Sequence, residues 1–99
     1  MKIAAISLGD MADKWDRLTP EQEGIAWRVL RKLASYDGTF PADDRGARFV
    51  GWDVRGWRPR VKWLLSDRHL GFYEVGGMLR HTRLDNDLAA IVGQTEDAP

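Results

Sequence analysis

Apolar positions along this chain start as a short run, Ile3-Ala4-Ala5-Ile6, and become clearly periodic only after Thr19. The segment from Met1 to Leu8 reads as a short strand or extended piece, too short for a signal peptide's apolar region plus a cleavage site. Beyond it, Ile25, Ala26, Val29, Leu30, Leu33 and Tyr36 share one helical stripe, with Arg28, Arg31 and Lys32 off it. The start of that helix is marked by Thr19-Pro20-Glu21-Gln22. Threonine can cap, proline suits the first helical position, and Gln22 completes a capping box. Asp37-Gly38 marks the stop, since glycine takes the left-handed conformation a helix end wants.

Phe40-Pro41 then leads to Asp43-Asp44, a second cap, and to a short helix ending near Gly51 with Ala47, Phe49 or Val50 as its core contribution. Asp53 caps a third helix that runs to about Leu65. On it Trp57, Val61, Leu64 and Leu65 recur at i, i+4, i+7 and i+8, while Arg55, Arg58 and Lys62 gather on the other side with Trp63 beyond them. Pro59 removes a backbone donor and is expected to kink the first turns. Two β-suited runs follow, Leu70 to Val75 and Met78 to Arg83, joined by Gly76-Gly77. A two-residue hairpin turn needs positive φ, so the glycine pair predicts a tight hairpin. A last helix is expected from Asp85 to about Val92, offering Leu84, Leu88, Ala89, Ile91 and Val92 to the core. The predicted fold is α+β, mainly α. Three helices, a β-hairpin wing and a C-terminal helix follow the element order of the winged helix-turn-helix.

Length and composition narrow the options. Ninety-nine residues, 43% of them hydrophobic and five of them tryptophan, provide one core without staples. The expected organisation is a single domain over residues 1–93 with a disordered tail, 94–99. Cysteine is absent, which removes disulfides, thiolate metal sites and a cysteine nucleophile, and fits a reducing cytoplasm. No apolar run reaches the roughly 18 residues of a membrane span. The formal net charge is zero, which argues against a simple polycation. Its distribution is uneven, however: residues 45–83 hold nine basic and three acidic side chains, and both flanking stretches are acidic.

With these features in place, a family resemblance emerges. Leu8-Gly9-Asp10-Met11 followed by Leu18-Thr19-Pro20-Glu21-Gln22-Glu23-Gly24 resembles the opening of a family of phage and prophage domains of unknown function. Its members often stand at the N-terminus of replication-initiation or replisome-organiser-like proteins. Phe40-Pro41-Ala42-Asp43-Asp44, the pair Trp57-Arg58 with Pro59 nearby, the hairpin, and the exit Arg80-His81-Thr82-Arg83-Leu84-Asp85-Asn86-Asp87-Leu88 resemble the same family, which thus spans roughly residues 8–92. Two departures stand out. Ala26, with Trp27 beside it, occupies a usually aromatic position, and Gly46-Ala47 sits where larger apolar residues are common, which bears on the packing of the second helix. Family members continue into further regions, whereas here the domain is expected to stand alone. The resemblance implies a winged-helix fold and a role in phage DNA metabolism.

Catalysis finds little support among the residues. His69 and His81 have no acidic or cysteine partner at metal-ligand spacing and read as surface or hairpin side chains. Ser7, Ser35 and Ser66 lack a nucleophile-elbow context. Asp43-Asp44 is accounted for as a cap. No enzyme, metal or cofactor is expected. Binding of double-stranded DNA has a better case: Arg55, Arg58 and Lys62 on the third helix, Arg45 and Arg48 on the second, and Arg80 and Arg83 on the hairpin are candidate contacts to phosphates or base edges. A solvated helix face would carry the same residue types. The surplus of tryptophans points elsewhere, to Trp52 and Trp63 as anchors for a host or phage protein complex, as in a small inhibitor of an anti-CRISPR type. A homodimer formed through the edge of the segment Ile3 to Leu8 is a further option.

Overall fold

Residues 8–85 are described by the computed structural model. Helices α1 (Leu8–Asp16) and α2 (Pro20–Ser35) come first, then strand β1 (Phe40–Pro41). A 3₁₀ turn (Asp44–Gly46) runs into α3 (Ala47–Val50), and α4 (Val54–Ser66) follows. A second 3₁₀ turn (Arg68–Leu70) precedes β2 (Phe72–Val75) and β3 (Met78–His81), and residues 82–85 are again helical. The fold is therefore mainly α with a small antiparallel sheet whose strand order is β1-β3-β2.

Most boundaries follow from local chemistry. Thr19 caps α2 with the full capping box, the Gln22 amide on the Thr19 hydroxyl and the Thr19 amide on the Gln22 side chain. At the other end Asp37 and Gly38 both take positive φ, and the Gly38 amide reaches back to the Leu33 carbonyl at 2.8 Å. Asp53 caps α4 by accepting from the Gly56 amide at 2.7 Å. Gly76 and Gly77 have φ of 59° and 79°, the pair of positive values that matches a two-residue turn to the twist of its strands. Pro59 does not break α4, which runs on to Ser66. Pro59 and Arg55, whose carbonyl loses its helical donor, both lie on the exposed side, where water can serve that carbonyl.

The core lies between α2, α4 and the sheet. Ala26, Val29, Leu30 and Leu33 of α2 meet Trp57, Val61 and Leu64 of α4, with Phe40, Leu70, Phe72 and Leu79 closing the end. In register, Phe40 stands opposite Leu79, and Phe72 opposite His81, so the inner face of the sheet is apolar apart from one buried imidazole. The small residues of the second helical segment have a packing reason. Trp57 lies against Gly46 and donates its Nε1–H to the Asp43 carbonyl at 2.8 Å. A Cβ on Gly46 would overlap the Pro41 carbonyl and press on Trp57 Nε1 at 2.9 Å. Gly46→Ala is expected to cost about 2–3 kcal/mol through overpacking; a denaturation midpoint equal to wild type would contradict this contact.

Three expectations change. Leu8 opens a helix rather than closing a strand, and residues 1–7 lie outside the described residues. The helix α1 went unforeseen because its apolar side is thin: Met11 is buried, Trp15 and Leu18 half-buried, and Asp10, Asp13 and Asp16 exposed. It is held from outside, by Trp15 Nε1 on the Leu70 carbonyl at 2.9 Å and by Lys14 on Asp67 at 2.8 Å. Third, the second hairpin strand ends at His81 rather than Arg83. There the Arg83 amide donates to His81 Nδ1 at 3.1 Å, and the chain turns helical at residue 82, three residues before the expected start. The rest of that last helix, the tail 94–99 and the segment from Ile3 to Leu8, a candidate edge for dimerisation, lie wholly or mostly outside the described residues.

Candidate nucleic-acid interface

Helix α4 divides its side chains cleanly. Trp57, Val61 and Leu64 point inward, while Arg55, Arg58, Pro59, Lys62 and Ser66 form an exposed stripe at three- and four-residue spacing. Arg55, Arg58 and Lys62 are thus held in one row by the burial of the opposite face. Arg55 and Lys62 have no ion pair among the described residues. Arg58 has one. Its Nε donates to Asp44 Oδ1 at 2.8 Å and its Nη2 to Asp44 Oδ2 at 2.5 Å, a bidentate pair linking α4 to the turn before α3. The hydrogen bonds hold the Asp44 carboxyl below the usual carboxylate range and push Arg58 up. Both side chains are largely solvated, 66% and 50% exposed, so the pair orients groups more than it stabilises the fold.

Asp43 and Asp44 therefore have different jobs. Asp43 is the cap: its Oδ1 accepts from the Arg45 amide at 3.0 Å, and its carboxylate also takes the Arg45 guanidinium at 2.9 Å, which lowers its pKa. Asp44 does not cap. It is the partner of Arg58, fourteen residues away, and no local pattern could have announced it. Arg48 is exposed on α3 and has no ion pair among the described residues. On the hairpin, Arg80 faces the outer side of the sheet, opposite Tyr73, with its Nε 3.6 Å from Asp85. Tyr73 donates its hydroxyl to the same carboxylate, and burial raises the pKa of Asp85. Arg83 is exposed beyond the strand end. The structure thus brings Arg55, Arg58 and Lys62 into one row and ties Arg58 to the turn that carries Arg45. Arg80 and Arg83 belong to the hairpin, with Arg80 engaged by its own acidic partner.

The two tryptophans singled out from the sequence are both half-buried and packed against the core. Trp52 also underlies two cations: the Arg60 and Arg28 guanidinium carbons lie 4.7 and 5.2 Å from its ring centre. Arg28 additionally donates its Nε to the Val50 carbonyl at 2.8 Å, serving the C-terminus of α3, and Arg60 reaches the Gly56 carbonyl at 2.9 Å. Neither arginine stood out from the sequence, where each reads as one more surface cation. The most exposed tryptophan is another one, Trp27 of α2, 41% exposed and edge-on to Trp15 at 5.3 Å.

His81, read as a surface or hairpin residue, is a hairpin residue buried beneath the sheet. Its Nε2 lies 2.9 Å from the Leu70 carbonyl and its Nδ1 accepts the Arg83 amide, which defines a neutral ring with its proton on Nε2. Burial lowers its pKa to about 4. Among the described residues no group of three acidic, histidine or cysteine side chains could hold a metal ion, and no helix is long and apolar enough to cross a membrane.

Comparison with protein-family models, with curated proteins and with solved structures returned no match.

Proposed function

We propose that this chain is a winged helix-turn-helix protein that binds double-stranded DNA without catalysis, of phage or prophage origin, and serves replication or transcriptional control in the bacterial cytoplasm. In this reading α3 and α4 form the helix-turn-helix, α4 enters the major groove, and β2–β3 is the wing that reaches flanking backbone. The strand order β1-β3-β2, with β1 placed between α2 and α3, is compatible with that arrangement. The observation that carries the proposal is the exposed row Arg55, Arg58 and Lys62, presented on the side of α4 opposite Trp57, Val61 and Leu64. The phage origin comes from the sequence resemblance.

Anisotropy titrations with duplex DNA at two salt concentrations test it. Affinity is expected to fall as salt rises, since phosphate contacts release counterions. Arg55→Ala combined with Lys62→Ala is expected to weaken binding and to reduce the log–log salt slope by about 2, close to 0.9 per lost phosphate contact. Absence of binding at low salt, or an affinity indifferent to salt, would sink the reading.

Exposed Trp27 favours a second reading, a small inhibitor-like protein that docks on a host or phage protein complex. Zero net charge and the internal pairing of Arg45, Arg58 and Arg80 point the same way. If so, a partner is captured from host lysate by the wild type and lost with Trp27→Ala. Capture unaffected by that substitution would remove Trp27 as the anchor.

A further inference from the structure

We propose that Arg58 is the residue of this interface that reads guanine, and that Asp44 is the positioning residue that aims it; the inference rests on the DNA-binding reading above. A guanidinium has five N–H donors arranged along two usable edges, one formed by Nε and Nη2 and the other by Nη1 and Nη2. Asp44 occupies the first edge with two hydrogen bonds, at 2.8 and 2.5 Å. The second edge, with one hydrogen of Nη1 and the outer hydrogen of Nη2, is left over. That fork matches the N7 and O6 acceptors that guanine presents in the major groove. The Arg58 side chain is exposed, so the remaining edge is open to a partner.

The carboxylate is anchored by the same helix that carries Arg58. Trp57, the residue before it, is fully buried and donates to the carbonyl of Asp43, the residue before Asp44. Gly46 lets the turn lie directly on the Trp57 ring. The residues preceding the two partners, buried Trp57 and exposed Asp43, are thus joined by one hydrogen bond, which holds the two ends of the pair together and orients the guanidinium before any ligand arrives. Arg55 and Lys62, in the same row without such partners among the described residues, keep their rotamer freedom and suit phosphate oxygens.

Charge separates the two roles. A carboxylate beside a phosphate-binding cation weakens its attraction to DNA of any sequence. Beside a base-reading arginine it removes orientational freedom and penalises the wrong register. Asp44 therefore trades general affinity for selectivity. The pair of Arg45 with Asp43 uses a similar edge but spans two residues of a single exposed turn and lies outside α4.

Selection from a duplex library randomised over two helical turns, followed by titration of the enriched site and of a scrambled duplex, tests the assignment. Wild type should enrich a guanine at a defined position. Arg58→Lys keeps the charge but lacks the fork, so it should keep salt-dependent binding to scrambled DNA and lose about tenfold or more of the preference for that guanine. Asp44→Asn should bind scrambled DNA more tightly than wild type and discriminate less, whereas a purely structural role would weaken both. Circular dichroism and a melting curve for each variant establish that the fold is retained. A guanine preference that survives Arg58→Lys, discrimination undiminished in Asp44→Asn, or salt-dependent binding with no enriched guanine would each overturn the assignment while leaving DNA binding standing. Loss of salt-dependent binding in the wild type would overturn both.

Discussion

Trp57→Ala is expected to remove about 3–5 kcal/mol of stability, the range for deleting a buried aromatic side chain. The indole is fully buried, its ring centre lies 6.1 Å from that of Phe40 and 6.3 Å from that of Trp52, and its N–H is satisfied by the Asp43 carbonyl. Gly46, on which the ring lies, has no side chain with which to fill the hole. Typical domains keep only about 5–15 kcal/mol in total, so the variant should be largely unfolded under mild denaturant. Trp57→Phe keeps most of the apolar volume and loses the donor, and should cost less, about 1–2 kcal/mol. Urea melts followed by far-ultraviolet circular dichroism separate the two. Equal losses for both substitutions would mean that the hydrogen bond, rather than the packing, holds the turn on α4.

Acid should weaken the fold through His81 well before the carboxylates titrate. The folded ring has a pKa of about 4 against an ordinary value of 6.5, because burial disfavours its charged form and Arg83 adds repulsion. The unfolded chain therefore binds a proton as pH falls through 6.5 while the folded protein does not until about 4. Stability is fully present above the unfolded value, declines across that window, and levels off below it. The total loss is about 3 kcal/mol at 1.36 kcal/mol per pKa unit. Asp43, Asp44 and Asp67, whose pKa values are lowered, lose their contribution as pH falls below the ordinary carboxylate value of 3.8, a separate range. Asp85, raised by burial, acts in the opposite sense. Denaturation midpoints measured between pH 7.5 and 4.5 should slope downward in the wild type and flatten in His81→Gln. A wild-type profile flat over that interval would rule out the buried neutral ring.

How much of this was legible beforehand depends on whether the signal was local. Thr19, Asp53 and the Gly76-Gly77 turn announce their elements because a cap or a two-residue turn is satisfied by atoms a few residues away. The stripe of Trp57, Val61 and Leu64 announces an inward face, and with it the outward row of Arg55, Arg58 and Lys62. The helix α1 was not legible in the same way. Met11, Trp15 and Leu18 offer only a narrow apolar edge, and what docks them is the Leu70 carbonyl and Asp67, more than fifty residues on.

The candidate interface shows the same divide. The types and spacing of its cations were visible in the chain; their state was not. Arg58, Arg45 and Lys62 read alike as surface cations, yet one is clamped by a distant carboxylate, one by a neighbour, and one has no such partner among the described residues. Trp52 and Trp63 looked like available anchors and prove to be edges of the core, with Trp52 under Arg28 and Arg60, while Trp27 is left outside. His81 could be placed on the hairpin but not beneath it. Helices α2 and α4, the hairpin and their polar and apolar sides were therefore determined along the chain, because capping, periodicity and turn geometry are short-range. Which charges pair, which rings are covered and which imidazole is kept neutral were decided only when the sheet and α4 closed on α2. Those properties depend on burial and on partners that only tertiary packing supplies.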